Sequence, residues 1–442
     1  MNRPNVLFIL ADDLGWGDVG YHGSYISTPN IDRMVRQGLE LDRHYVCPVC
    51  TPTRVSLLTG RYPGRFGRHA TWPTNDPVLP DGYRTLAGMF RESGYATGLF
   101  GKWHLGSAPE FNPHKFGFDY CYGSLAGGVD PYTHRYKEGP FSRTWHRNGE
   151  LVDEQGHATD LITDEAARWI KSRTQSWFCY VPFTAVHQPV QAPESWIDRY
   201  ANRLDQDDPA RARAQELYGA YTSHMDHCIG RLLDAVKCTA GLHDTLIVFA
   251  SDNGAPLGNC PSKDVQLYPG YHEPLPPAGS NGPLHGAKAT LYEGGIRTPA
   301  AIYWQGRISP KKCIEPVCIA DWMPTFAEML GTPADSRWDG RSVWQMLHGG
   351  TGPEREIHWN ILHREFAVIR DDWKLIYRTG KEPCCELFNL ADDPFEQNEC
   401  SQKHPELVAE LRKSIEENHK LDDSEKRIPS PGKPSQSADE DP

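Results

Sequence analysis

The sequence lacks any apolar run that approaches the roughly 20 residues required to span a membrane. The most conspicuous run, residues 6–11, ends directly at Asp12 and Asp13. That run is also too short for the core of a signal peptide, and no cleavage site follows it. We therefore expect no membrane span and no signal peptide in this chain.

The sequence also lacks an excess of basic residues. It has 46 Lys and Arg against 58 Asp and Glu, which gives a formal net charge of -12. A nucleic-acid-binding protein normally carries a basic surface, so we expect no nucleic-acid partner. An anionic small molecule is still compatible with this charge, because a local basic pocket can oppose the global sign. A hydrophobic content of 38% with 13 Trp suffices for a sizeable core.

Cysteine usage does not decide the redox environment. Twelve cysteines in 442 residues do not require a disulfide framework at this length. Cys313 and Cys318 are spaced for a short-loop bridge, whereas the adjacent Cys384 and Cys385 are awkward to join to each other. The alternative is that most of the thiols are free and buried. The sequence leaves both interpretations open.

Four short apolar segments predict buried strands of a mostly parallel sheet. They are Asn5–Ala11 and residues 96–100, 177–183 and 246–250. Helical patterns lie between them, with apolar residues at helical spacing in three groups: Ile31, Met34 and Val35; Leu161, Ala166 and Ile170; Leu232, Leu233 and Val236. Strands that alternate with helices indicate an α/β fold.

The pattern changes near residue 356, where four short strands follow one another closely: residues 357–362, 366–370, 373–377 and 386–390. A helical pattern with Leu411 and Ile415 on one face comes after them. We predict a large catalytic domain over residues 1–350, a small antiparallel sheet with a helix over 351–421, and a disordered tail over 422–442. Residues 255–285 are rich in Gly and Pro and predict a long functional or mobile loop.

Polar residues follow each of the four predicted strands. Asp12 and Asp13 follow the first, Lys102 and His104 the second, His187 the third, and Asp252 and Asn253 the fourth. In an open α/β sheet, ligands bind beyond the carboxyl ends of the strands. Each residue alone is typical of a turn, a cap or the surface, but together they predict one site. The four that offer only oxygen ligands favour calcium, with magnesium as the alternative: Asp12, Asp13, Asp252 and Asn253.

A helix is predicted directly after Cys50. Thr51 suits the N-cap, Pro52 the first helical position and Gly60 the stop. Cys50 then lies at a helix N-terminus, where free amide donors favour an anion. The alternative is an ordinary buried or low-pKa thiol at a helix start.

The segment Cys50-x-Pro52-x-Arg54, followed by Leu58-Thr59-Gly60-Arg61, resembles the signature of the type I sulfatases. Further segments match in order over about residues 4–400: 11–15, 101–106, 187–189, 251–254, 286–288 and 293–297. The resemblance implies the fold of the alkaline-phosphatase superfamily. That fold is a large, mostly parallel mixed sheet flanked by helices, with a smaller C-terminal antiparallel sheet plus helix.

The same resemblance implies a mechanism. A formylglycine-generating enzyme would oxidise Cys50 to formylglycine, whose hydrated form attacks sulfur and then eliminates sulfate. Arg54 and Lys102 would stabilise the charged diol, and His104 would help the elimination. Lys288 and His187 would bind sulfate, with His187 protonating the leaving oxygen. Calcium, held by the four oxygen-bearing residues, would polarise the sulfate.

Two other functions are weighed against this one. Some phosphonate and phosphate ester hydrolases of the superfamily share the Cys-x-Pro-x-Arg motif, but those relatives place His where this chain has Asn253. A catalytically inactive protein that binds sulfated glycans is the second alternative, although every motif residue is present. Measuring the mass of the Cys50 peptide and comparing sulfate with phosphate esters would separate the three.

The substrate is expected to be a sulfated small molecule or saccharide. Residues 70–73 and 127–134 resemble sulfatases that act on the 4-sulfate of N-acetylgalactosamine, and Trp72, Tyr132 and His134 are the candidate sugar-binding residues. The alternative is that these side chains only pack their loops. The resemblance also implies an exported enzyme, periplasmic or extracellular, or lysosomal in a eukaryote.

Overall fold

The computed structural model describes residues 3–137, 139–201, 208–258, 263–270 and 272–425. Its main feature is a ten-stranded sheet. From one edge to the other, the strands are Lys311–Cys313, Leu39–Leu41, Ala300–Tyr303, Thr245–Ser251, Asn5–Ala11, Trp177–Pro182, Ala96–Lys102, Tyr120–Ser124, Trp145–Arg147 and Glu150–Leu151. All four predicted strands are confirmed and lie side by side at its centre.

The central strands are parallel, and the edges make the sheet mixed. Asn5–Ala11 pairs in parallel with both Trp177–Pro182 and Thr245–Ser251. Ala300–Tyr303 pairs antiparallel with Thr245–Ser251. The predicted fold, a large and mostly parallel mixed sheet flanked by helices, is therefore confirmed.

Both faces of the first strand are buried, in two different cores. Val6, Phe8 and Leu10 belong to one core, whereas Leu7 and Ile9 belong to the core on the opposite face. This division follows from the alternation of side chains along a strand. It explains why the strand is a continuous apolar run instead of an alternating one.

Ten α-helices are assigned in the described residues: Pro29–Gln37, Cys50–Thr59, Leu86–Glu92, Ala158–Lys171, Glu194–Ile197, Pro209–Thr239, Glu293–Ile296, Trp322–Leu330, Trp344–Leu347 and Pro405–His419. The three helices predicted between the strands are among them, and their apolar residues pack on one face of the sheet. No helix in the described part of the chain is both long and apolar enough to cross a membrane.

The C-terminal region forms a second, four-stranded antiparallel sheet. Its strands follow in chain order: Glu356–Ile361, Glu365–Arg370, Trp373–Arg378 and Cys384–Asn389. One face packs on the helix Pro405–His419 through Val368, Leu375 and Leu411. The other face carries Ile369 and Ile376 into the main core. The predicted division near residue 350 falls between two elements, and it stays a prediction.

A buried ionic cluster joins this small sheet to the large domain. The ammonium group of Lys374 lies 3.0 Å from Glu293 Oε1 and 2.8 Å from Glu396 Oε1, and all three side chains are fully buried. Glu293 also accepts a hydrogen bond from the Tyr45 hydroxyl at 3.1 Å. The cluster fixes the segment 293–297, which the sequence resemblance had singled out.

Cys313 and Cys318, for which the sequence left a bridge and free thiols open, are both free thiols. They lie in strands that pair with different partners, Leu39–Leu41 and His44–Tyr45. The described structure extends past the predicted start of the tail at residue 422, since Asp422 is bound by Arg65 at 2.7 Å and Glu425 by Arg61 at 3.0 Å. Residues 426–442 lie outside the described part of the chain.

Candidate active site

The polar residues that follow the four central strands meet at one edge of the sheet. The Lys102 ammonium group lies 2.7 Å from Asp12 Oδ2. The Asp13 amide donates to Asp252 Oδ1 at 3.2 Å. These residues come from three strand ends, and all are buried. Parallel strands bring their carboxyl ends to the same edge, which places the side chains within contact distance.

Asp13 is the most heavily contacted of these carboxylates. Lys288 Nζ lies 2.7 Å from Asp13 Oδ1, and the Asn253 amide donates to the same oxygen at 2.7 Å. His187 Nε2 lies 3.8 Å from Asp13 Oδ2. Although burial opposes it, Lys288 and His187 hold the pKa of Asp13 well below its usual range. Asp13 also has a left-handed backbone, with φ of 66°, a conformation that Asp adopts more readily than most non-glycine residues.

Arg54 connects the helix after Cys50 to two strand ends. Its guanidinium donates to Asp252 Oδ2 and to the Lys102 carbonyl, both at 2.8 Å. Burial, together with the neighbouring Asp12, raises the pKa of Asp252 to about 6. The fully buried Arg54 therefore serves as a fixed positive charge beneath the carboxylates.

Two oxygens of this cluster have no hydrogen-bond partner. They are Asp12 Oδ1 and Asn253 Oδ1, and both are inaccessible to solvent. Ligand atoms of Asp12, Asp13 and His187 lie within 4.8 Å of one another. A buried polar atom without a partner is costly unless an ion or another group satisfies it. The donor set thus fits a hard, oxygen-binding cation such as calcium.

The helix that begins at Cys50 spans Cys50–Thr59 and is buried along its whole length. Gly60 ends it in the left-handed conformation, with φ of 69°, as predicted. The predicted N-cap is wrong, because the extended residue before the helix is Val49 and Thr51 lies in the first turn. Thr51 instead places its hydroxyl 3.3 Å from the ring nitrogens of His104. The Thr53 hydroxyl donates to the Asp252 carbonyl at 2.6 Å.

The environment of Cys50 does not favour a thiolate. Burial raises the pKa of the Cys50 thiol, and nearby Lys102 and Lys288 only partly offset this effect. A catalytic cysteine normally needs a lowered pKa, because the thiolate is the nucleophile. As a thiol, Cys50 is therefore poorly suited to attack a substrate itself.

The two histidines of the site occupy different positions. His104 is buried beneath Gly127, where a Cβ atom would lie 2.3 Å from its Nε2, so only glycine allows this approach. His187 lines a cavity, and its Nδ1 lies 2.6 Å from the Gln188 carbonyl. Because a carbonyl only accepts, Nδ1 carries the proton and Nε2 faces Asp13. Burial lowers the pKa of His187 to about 3.

A cavity of about 540 Å³ opens above the carboxylate cluster. Asp13, His187 and Lys288 form one end of it. Of the three residues predicted to bind the sugar, Tyr132 lines the cavity and is 44% exposed. His134 is buried, where it contacts the Gly156 carbonyl at 2.9 Å and stacks on Trp145. Trp72 packs against the main core.

Sequence reasoning missed a polar network in the cavity wall. The Gln191 side-chain amide donates to Asp130 Oδ2 at 2.8 Å and contacts His272 Nδ1 at 2.9 Å. Asp130 also accepts from the Tyr132 amide at 3.0 Å. His272 lies in the irregular segment 255–285, whose length was the one available sign of function. Within the described part of that segment, only a short 3-10 turn, Lys263–Leu267, is regular.

Two family models match the chain, and several named proteins are similar to it over most of its length. The family described as Sulfatase matches residues 4–332, and the family described as N-sulphoglucosamine sulphohydrolase, C-terminal, matches residues 285–421. Mouse arylsulfatase J is 29% identical over 95% of this chain and 76% of that protein. Dog N-acetylgalactosamine-6-sulfatase is 32% identical over 85% of this chain and 72% of that protein.

Solved structures are also similar to the chain in fold and sequence. The crystal structure of Ps i-CgsB has a TM-score of 0.83 and 28% identity, over 96% of this chain and 95% of that chain. A second structure of it, in complex with k-i-k-neocarrahexaose, gives a TM-score of 0.81 and 26% identity, over the same shares of both chains. The 4-sulfate suggested by the loop segments is not supported, because the dog relative is named for the 6-sulfate.

Proposed function

The chain belongs to the sulfatase family and is thus a sulfuric ester hydrolase, and we propose that it removes sulfate from a sulfated carbohydrate. Formylglycine made from Cys50 would be its nucleophile, and Asp12, Asp13, Asp252 and Asn253 would hold calcium. One observation carries the proposal. At a single buried sheet edge, the chain combines a helix-initiating cysteine, four oxygen-bearing side chains and several fixed cations, and a cavity opens directly above them.

The unpartnered oxygens of Asp12 and Asn253 support the metal assignment. Their ligand chemistry fits calcium better than zinc, which prefers His or Cys. When bound, calcium would act as a Lewis acid on the sulfate ester. Arg54 donates to Asp252 at 2.8 Å, and its positive charge partly offsets the rise in the pKa of Asp252 that burial and Asp12 cause.

Because burial raises the pKa of the Cys50 thiol, the unmodified residue would be a poor nucleophile, and we assign the attack to formylglycine instead. A hydrated aldehyde supplies one hydroxyl that attacks sulfur and a second that permits release of sulfate. A formylglycine-generating enzyme is accordingly the proposed partner during maturation. Lys102, which contacts Asp12 at 2.7 Å, places a positive charge beside the nucleophile. Such a charge stabilises the anion that develops during attack.

His187 is the best-placed proton donor for the leaving oxygen. It lines the cavity, whereas His104 is buried against Thr51. Its Nε2 is directed toward Asp13 and carries no proton in the neutral form, so His187 would have to bind a proton there before it donates one. The negative charge of a bound sulfate would favour that protonated form. Lys288 lines the same end of the cavity, and Asp13 raises its pKa although burial opposes this, so it stays protonated. We assign Lys288 to sulfate binding and His104 to the elimination.

The cavity supports a carbohydrate as the remainder of the substrate. Its volume of about 540 Å³ falls within the range of roughly 300–1,000 Å³ that is usual for ligand sites. Tyr132 presents an aromatic ring, on which the weakly apolar face of a sugar can stack. Two relatives are named for N-acetylgalactosamine-6-sulfate, which supports a galactose-type sugar as the substrate. Export of the enzyme stays a prediction.

The test is a comparison of ester classes. The protein, co-expressed with a formylglycine-generating enzyme, should release sulfate from a sulfated saccharide, and the Cys50→Ala variant should release none. A matched phosphate or phosphonate ester should be a much poorer substrate. If the phosphorus ester reacts faster, or if Cys50→Ala retains the parent rate, the proposal is wrong. A panel of defined galactose-type saccharides would then identify the sulfate position.

A further inference from the structure

The cavity wall beyond the carboxylate cluster is poor in positive charge. Among the described residues that line the cavity, Lys288 is the only lysine or arginine. Lys288 lies at the sulfate end, because its ammonium group contacts both carboxylate oxygens of Asp13, at 2.7 and 2.8 Å. The described part of the wall thus offers no second lysine or arginine to a ligand.

The remaining wall is mainly apolar. The segment 275–278, Leu-Pro-Pro-Ala, lines one side. Val190, Ile197 and Leu217 line the side formed by the strand-end loop and the helices. A group that contacts an apolar wall loses its hydration water. Binding of an ionised group is strongly disfavoured there, because the group gains no new partner in return.

The polar groups of the wall suit hydroxyls better than anions. Gln191 gives its amide hydrogens to Asp130 and His272, and Asp130 is a buried carboxylate that is 2% exposed. The imidazole of His272 lies 3.5 Å from Asp130. A second anion in this part of the cavity would therefore lie close to an existing buried negative charge.

One acidic side chain also lines the cavity where it is open to solvent. Glu273 is 47% exposed and pairs with Arg213 at 3.6 Å. Arg213 also pairs with Glu216 at 3.2 Å, so one positive charge is shared by two carboxylates and the group keeps a net negative charge. Repulsion between like charges at a binding surface weakens the binding of a ligand that carries the wrong charge.

From these observations we propose that the sulfate to be removed is the only anionic group of the substrate that the cavity accepts. The sugar portion in the cavity would be uncharged, a neutral hexose or N-acetylhexosamine, and Glu273 would select against a uronate or a second sulfate. This inference rests on the proposed function and narrows its substrate class. It concerns the part of the ligand that the sulfate-binding residues do not touch.

The experiment compares a monosulfated disaccharide with two matched disaccharides, one with a second sulfate and one with a uronate as the second sugar. We expect kcat/KM for the monosulfated compound to exceed the other two by on the order of 10-fold or more at low salt. Glu273→Lys should lower the ratio of kcat/KM for the monosulfated compound to kcat/KM for each doubly charged compound. Glu216→Lys makes the same charge change beside Arg213 but away from the cavity, so it should leave the ratio unchanged.

Equal or faster turnover of the doubly charged compounds would overturn the inference, and so would a ratio that Glu273→Lys does not alter. Failure of the proposed function is recognised separately, because then no compound releases sulfate. In that case calorimetric binding of the three saccharides to the Cys50→Ala protein decides the inference. A preference of about 10-fold for the monosulfated compound supports it, and an equal, reversed or absent preference refutes it.

Discussion

Replacing Lys374 by methionine should strongly destabilise the protein. Lys374 lies within 3.0 Å of Glu293 and 2.8 Å of Glu396, and none of the three side chains is exposed. Methionine keeps much of the volume but removes the charge, which leaves two carboxylates buried without their shared cation. Breaking a buried pair in this way costs roughly 3–5 kcal/mol.

The expected shift in melting temperature follows from the size of the chain. With about 2.1 cal/mol/K per residue, 442 residues give an unfolding entropy of about 0.9 kcal/mol/K. A loss of roughly 3–5 kcal/mol therefore lowers Tm by about 3–5 °C if both sheets unfold together. The assay is differential scanning calorimetry at neutral pH.

A matched control is Lys413→Met, which removes a lysine that is 75% exposed and lies 3.8 Å from Glu417. An exposed pair of this kind contributes about 0–1 kcal/mol, so its Tm should change little. Adding Glu396→Gln to Lys374→Met should recover part of the loss, because it neutralises one of the two stranded carboxylates. If Lys374→Met and Lys413→Met melt at the same temperature, the cluster does not hold the two sheets together.

Three further results are expected. Burial raises the pKa of Glu396 to about 7 from 4.5, so the parent protein loses stability as pH rises through this interval. Glu396→Gln should therefore gain stability relative to the parent between pH 5 and pH 8. A difference in Tm between variant and parent that stays constant over this range would contradict this. Asp252→Ala should lose both bound calcium, measured by elemental analysis, and activity; full calcium occupancy would refute its assignment as a ligand. Tyr132→Ala should slow turnover of a sulfated saccharide by roughly 10- to 200-fold and leave turnover of a small aryl sulfate nearly unchanged. His134→Ala should lower Tm and slow the turnover of both substrates. If Tyr132→Ala lowers Tm and slows both substrates while His134→Ala slows only the saccharide, the roles of the two residues are exchanged.

The sheet could be predicted where its strands are buried on both faces. Asn5–Ala11 and Thr245–Ser251 are continuous apolar runs, and such runs are visible in a single sequence. The strands Leu39–Leu41 and Trp145–Arg147, each next to the outermost strand of the sheet, were missed because three residues are too few to show any periodicity. Their pairing depends on neighbours that are distant in the chain.

The site was predictable for similar reasons, but only in part. Residues that directly follow a strand, such as Asp12 and Asp252, inherit their position from the sheet. The wall formed by Gln191 and His272 was not predictable, because its contacts join loops 81 residues apart. Thr51 was assigned as an N-cap on residue preference alone. In the buried structure its hydroxyl contacts His104 instead, so a tertiary contact replaced the local one.

The central claim is that the chain is a sulfatase whose nucleophile is formylglycine at position 50. The most direct measurement is the mass of the Cys50 peptide, quantified alongside specific activity in preparations made with and without a formylglycine-generating enzyme. The account predicts that sulfate release rises in proportion to the aldehyde fraction and vanishes when that fraction is zero. Full activity in a preparation whose Cys50 is entirely thiol would contradict it.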